Sequence, residues 1–290
     1  MFEAILINGA MLGGIYALLA LGFSLIFGVA KIINLAHTAF YMLAAYAIFT
    51  SAHLLGLSAI PSIALSVVLT TLIGIGTYKL FIERVREHET TVLILTLALA
   101  LVFQECMLLA FGGHFLGAPS FVSGYVELLG VRVSNQHLLT FGVVLASLFG
   151  IWMLLSKSKL GIAIRAVAQD REIANLMGIN VGRMCLMTMA IAVAMAAISG
   201  AMVAPIFVLE PRMWMYPLIM ILAVVVLGGL GSIKGSVAAA FILAYTETLV
   251  VFLVPVGSFI KGAVALAVMV AVLLIRPEGL FGVAFEEERL

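Results

Sequence analysis

The sequence predicts an all-α integral membrane protein, a polytopic helical bundle of about eight or nine transmembrane segments with one helix outside the bilayer. Three observations carry this expectation. Of 290 residues, 64% are hydrophobic and only 10% charged, far from the composition of soluble domains. The apolar residues are gathered into runs long enough to span a bilayer. The charges fall between those runs, above all in one stretch, Ser156–Arg183. Lipid is therefore the solvent. The chain reads as one transmembrane domain, 1–290, with a segment at 157–180 outside the membrane.

The first span is expected at 4–29. Glu3 precedes it and Lys31 follows, the reverse of a cleavable signal, so this helix should stay as an anchor. Gly9, Gly13 and Gly14 on it would let another helix approach closely. Further spans are expected at 33–55, 61–81, 91–111, 137–155, 184–208, 214–230, 236–254 and 258–275. Several are short or interrupted by glycine, and re-entrant backbone could lie near Asn34 and Gly231. Residues 112–137, with Gly112, Gly113, Pro119 and Asn135, form a long polar connection, and Glu286–Glu288 form an acidic tail.

Orientation follows from positive charge. With the loops at 79–90 and 156–183 in the cytoplasm, twelve of the fifteen basic residues lie inside and only Arg132, Arg212 and Lys261 outside. The N-terminus is then external and the C-terminus cytoplasmic.

Within Ser156–Arg183, the apolar residues Ile162, Ala166, Ile173, Ala174 and Met177 recur at helical spacing and leave Lys157, Lys159, Arg165, Asp170, Arg171 and Glu172 on other faces. Gly161 precedes the periodic run and Gly178 stands where a helix should stop. The spacing predicts a short helix outside the membrane that presents a patterned face to a partner, or else a charged surface helix without one.

Other chemistries find little support. A net charge of +1 offers no basic patch for nucleic acid. Cys106 and Cys185 fall in or beside apolar runs, as packing residues rather than a disulfide or metal site. No G-x-x-x-x-G-K-[ST] occurs; GGLGSIKG (228–235) lacks that spacing and reads as a tight turn between spans. No Ser/His/Asp set or HExxH suggests an enzyme, and no cofactor is expected in this chain. Glu105 and Glu247 are the clear ionisable residues at membrane depth. Both fall in the outer part of their spans, where they could touch water, pair with each other, hydrogen-bond between helices or line a polar pathway. His53, His88, His114 and His137 lie near span ends or in loops.

At this point the residues carry a resemblance. KLGIAIRAVAQDREIANLMGIN (159–180) resembles the cytoplasmic signature of permeases of the branched-chain amino acid type of ABC importer. NLAH (34–37), GGLGSIKGS (228–236) and RPEGLFG (276–282) are similar to three further stretches of that family, in the same order. The match covers essentially the whole chain and is nearest to the smaller permease subunit. Leu35, Thr38 and Lys234 depart from the family's usual Phe, Gly and Pro, which bears on substrate and on the backbone near Asn34.

The resemblance implies a fold and a machine. Two ABC ATPase subunits, carrying ATP and Mg, would drive inward transport of leucine, isoleucine and valine across a bacterial inner membrane. Gly161, Arg165, Ala166, Asp170, Ala174, Leu176, Gly178 and Ile179 would form the joint with an ATPase, by helix-in-groove docking. A second, homologous permease subunit would complete a heterodimer, and a periplasmic binding protein would dock on the outer loops, using part of 112–136. Asn34 and His37 could line the pathway with Glu105 and Glu247, or cap the second helix. Two alternatives stay open: the same architecture importing urea, short amides or another amino acid, and an ATP-independent carrier or channel.

Overall fold

The structure, a computed structural model, describes residues 2–128 and 130–281. The acidic tail and Gly282 of RPEGLFG lie outside the described residues. Helix α1 (Phe2–Ala30) is unbroken and ends where Lys31 takes a left-handed φ of 52°. Helix α2 (His37–Ile48) runs on through a π-helical turn at Phe49–Leu54. Helix α3 (Ala59–Thr77) continues through a second π-helical turn, Tyr78–Ile82, into the short α4 (Glu83–Val85). Then come α5 (Glu89–Phe111), the antiparallel strands β1 (Tyr125–Leu128) and β2 (Val131–Ser134), and α6 (Asn135–Lys157). Two short helices follow, α7 (Lys159–Gln169) and α8 (Arg171–Leu176). The chain finishes with α9 (Val181–Val203), α10 (Met215–Gly228), α11 (Ile233–Leu253) and α12 (Gly257–Ile275).

Among the described residues, seven helical stretches are long and apolar enough to cross a membrane. The 14-residue α10 and the α2 segment with its π-helical turn account for the two remaining apolar runs. The expected count of eight or nine segments therefore holds only approximately. Several details differ from expectation. Helix α9 ends at Val203 rather than 208. The second helix starts at His37 rather than Ile33, because residues 31–36 are not helical and Asn34 folds them locally: its Oδ1 accepts from the Ala36 N–H at 3.1 Å. The connection at 112–137 contains the β1–β2 hairpin, a small departure from an all-helical chain.

The centre of the bundle is α1, which is apolar all round and is accordingly surrounded. Of the residues in its most apolar window, 83% are buried, against 6% for α12 at the periphery. It packs on α11, α9, α10 and α6. Gly9 and Gly13 lie under the rings of Tyr245 and Phe241 of α11, so the small-residue face expected to admit a neighbour is used within the chain. Toward the other end, Ser24 and Ser236 share a hydrogen bond of 2.7 Å across the same antiparallel pair.

Two ends can now be distinguished. Because α6 has 23 residues, ~34 Å of helix, the β1–β2 hairpin lies at one end and α7–α8 at the other. At the α7–α8 end, the turn after α10 is built on Gly229 and Gly231, both with positive φ, and Ser232 caps α11 by accepting from the Gly235 N–H at 3.1 Å. Residues 279–281 close over this turn. Leu280 and Phe281 donate backbone N–H groups to Leu227 O (2.8 Å) and Gly228 O (3.1 Å). GGLGSIKGS and RPEGLFG, widely separated in sequence, thus form one backbone-paired unit beside Gly28 of α1.

Candidate functional site

At the α7–α8 end, the chain leaves α6 through Ser158, whose hydroxyl caps α7 by accepting from the Gly161 N–H at 2.9 Å. Gly161 lies directly on the backbone of Leu154 and Leu155, so α7 folds back tightly and buries Ile164 and Val167. The single helix expected here is in fact two. Asp170 has extended backbone (φ −152°, ψ 118°), which ends α7, and its Oδ1 accepts from Glu172 N (2.8 Å) and Ile173 N (2.9 Å), which starts α8. Gly178, with φ 84°, stops α8 as expected.

The break also divides the expected apolar face. Ala174 turns inward and is buried, whereas Ile173, Leu176 and Met177 stand outward, Leu176 with 84% of its surface exposed. Ile173 and Leu176, three residues apart, share one face of α8, and Met177 follows at its C-cap. Arg171 points the other way. Its Nε and Nη2 donate to the Val29 carbonyl at 3.1 and 2.7 Å, satisfying a free carbonyl at the end of α1. A polar cleft of about 430 Å³, lined by Arg86, Glu87, Arg171, Glu172, Asn175 and Asn180, opens beside this contact. Arg165 lies elsewhere, in a mainly apolar groove of about 570 Å³ with Trp152, Ser156 and Lys234.

The second site lies in the half of the bundle toward the hairpin end. Glu247 of α11 is completely buried. Its Oε1 accepts from the Tyr216 hydroxyl at 2.7 Å, and Tyr16 of α1 donates at 3.2–3.3 Å. The Lys261 Nζ of α12 stands 3.9 Å from Oε2 and 5.1 Å from the centre of the Tyr216 ring. A buried carboxylate is tolerated because two hydroxyl donors and one cation, from three other helices, converge on it. Two cavities, of about 270 and 250 Å³, meet this cluster, and Lys261 lines both.

The chain as a whole matches known proteins. Residues 5–273 match the model of the family described as branched-chain amino acid transport system, permease component. The permease BraD of Pseudomonas aeruginosa, named as part of a high-affinity branched-chain amino acid transport system, is 30% identical over 96% of this chain and 94% of its own. The chain belongs to the branched-chain amino acid permease family. LivH of Escherichia coli K12, similarly named, is 27% identical over 95% of this chain and 94% of its own. A probable LivH from Methanocaldococcus jannaschii is 26% identical over 98% and 94%. A solved structure, PsaBC from Streptococcus pneumoniae in complex with Fab, shares the fold with a TM-score of 0.51 at 14% identity, over 93% of this chain and 90% of that one.

Within this permease of the family, the residues singled out by sequence divide into groups. Gly161, Asp170, Ala174 and Gly178 shape the α7–α8 unit from within, and Ile179 closes it by donating to Ala174 O at 3.0 Å. Leu176 is outward, Arg165 is exposed in the groove, and Ala166 is half-buried. Asn34 and His37 are buried between α1, α2 and α9. Asn34 folds the entry to α2 and donates to Met189 Sδ at 3.7 Å, and His37 Nε2 meets the Leu19 carbonyl at 3.1 Å. Their bonds serve backbone and packing. Glu105 and Glu247 do not pair: Glu105 is exposed on α5 and accepts from neighbouring Gln104 at 3.1 Å. Tyr16, Tyr216 and Lys261 escaped sequence reasoning. The available signal was a lone lysine a few residues inside an apolar run.

Proposed function

We propose that this permease is the membrane subunit of an ATP-driven importer that carries branched-chain amino acids inward, with the α7–α8 end cytoplasmic and the hairpin end external. The observation that carries this reading is the outward apolar face of α8 beside a polar cleft, at the end where most basic residues collect. A monomeric membrane protein has no use for Leu176 and Met177 in water. An ATPase groove would cover them, with Arg86, Glu172 and Arg183 setting register. ATP and Mg would be held by two such ATPase subunits. A second, homologous permease would supply the other half of the route, and a substrate-binding protein would dock near the β1–β2 hairpin.

Of the four pathway candidates, Glu247 fits best, since it adjoins a cavity of mainly apolar lining that suits a branched side chain better than urea. Asn34 and His37 instead bond to backbone and to Met189. The test is reconstitution of the chain with its partners in proteoliposomes and measurement of leucine uptake. ATP-dependent uptake that disappears with an Arg165→Glu/Ala166→Glu variant is the expected result. Uptake indifferent to ATP would identify a carrier or channel instead.

A further inference from the structure

We propose that Glu247 and Lys261 form a subsite for the charged end of a free amino acid, in which Lys261 stands in for the substrate ammonium until substrate arrives. The inference rests on the transport reading above and specifies how that site tells a zwitterion from its uncharged or singly charged relatives.

The asymmetry of the pair is the starting point. The Glu247 side chain is 1% exposed and fixed by two tyrosine hydroxyls, whereas Lys261 is 33% exposed and holds on from 3.9 Å, an ion-pair distance but too long for a hydrogen bond. Lys261 also lies over the Tyr216 ring at 5.1 Å, so a cation here meets both a carboxylate and an aromatic face. Any primary ammonium finds the same two partners. The cavity against Glu247 is walled by Met11, Ile15, Phe207 and Val251, which suit an aliphatic side chain. Lys261 borders the neighbouring cavity as well, with Arg212 and Glu210 at its wall, so its four-carbon stem can carry the ammonium from one to the other.

Loading is then an exchange. The substrate ammonium takes the place beside Glu247 and Tyr216, and the released Lys261 takes the substrate carboxylate. The protein brings one anion and one cation and the zwitterion brings one of each, so no uncompensated charge is left in the membrane interior at any occupancy. An amine without a carboxylate would displace Lys261 and offer it no anion in exchange; a carboxylate without an ammonium would have to compete with Glu247.

The test is a ligand–residue cycle on the detergent-purified permease complex, without binding protein. Binding of leucine, 3-methylbutylamine (no carboxylate) and 4-methylpentanoate (no ammonium) is measured by calorimetry. In the wild type, leucine should bind about ten- to a hundredfold more tightly than either analogue, the span expected for one charge-assisted contact. In Lys261→Met, leucine should fall to the affinity of 3-methylbutylamine, whose own binding is not weakened. In Glu247→Gln, the preference for leucine over 4-methylpentanoate should vanish. Lys261→Gln replaces Lys261→Met if the latter does not assemble, with the same expectation. Equal weakening of leucine and its analogues in the variants, or no preference for leucine in the wild type, overturns the subsite. Leucine uptake by the wild-type importer decides the transport reading separately, so either can fail alone.

Discussion

Around α7 and α8 charge is plentiful and exposed. Arg165, Glu172 and Arg183 reach the surface, and the side chains that stand out beside them, Leu176 and Met177, are apolar. Around Glu247 charge is scarce and enclosed, and every group has an identified neighbour: two tyrosine hydroxyls and one lysine on one carboxylate. Exposed charges are hydrated in the folded and unfolded chain alike, so the fold hardly depends on them and their work must show in encounters with other molecules. Enclosed charges have been taken from water, so folding depends on their partners. One end is adapted to dock and the other to hold.

The largest effect expected breaks the simplest form of that contrast. Gly235→Val should nearly abolish accumulation of the protein in the membrane, although it lies at the exposed end. A Cβ there would strike the Gly228 backbone, which no side-chain rotation can relieve. Sensitivity at that end resides in backbone contacts, and quantitative blotting of membranes would show it. Next comes Glu247→Ala, which leaves Lys261 without its carboxylate, and the buried Tyr16 hydroxyl and the half-buried Tyr216 hydroxyl without their acceptor. Loss of about 1–3 kcal/mol of stability is expected, since Lys261 keeps access to water, read as a lowered unfolding temperature of the purified chain.

Leu176→Asp should do the reverse. With the residue almost fully exposed, the isolated chain should unfold as the wild type does, while ATP-driven uptake falls about tenfold or more, the scale of one lost anchor in a docked interface. Arg171→Lys should lie between these: an ammonium keeps the charge but cannot reproduce the two-pronged contact with Val29 O, so uptake should fall a few-fold with the complex intact. The smallest effect is reserved for Glu105→Gln. Its neighbour Gln104 can bond to the new amide, and stability should stay within about 0.5 kcal/mol of wild type.

Hydropathy alone located the spans, because a membrane helix is specified residue by residue along the chain, and Gly178 could be recognised as a stop because a positive φ favours glycine. That Asp170 caps α8 could not be read from the sequence. A helix cap and an exposed charge look alike in sequence until the backbone before it is known to be extended. The β1–β2 hairpin was hidden for another reason: two four-residue strands are too short to show a reliable alternation. The Glu247 cluster was the least legible. Tyr16 lies 231 residues from Glu247, and a tyrosine in an apolar run counts as apolar until a buried carboxylate is placed against its hydroxyl.

The Arg171 contact with Val29 has a mechanical side. Between Val29 and Tyr16, α1 is unbroken helix for ~20 Å, a rod that resists bending over such a length. Between those points Ser24 is pinned to Ser236. If that bond serves as a fulcrum, the arm toward Tyr16 is about eight residues long and the arm toward Val29 about five. A sideways step imposed on Arg171 would then return at Tyr16 reversed in direction and enlarged by roughly half.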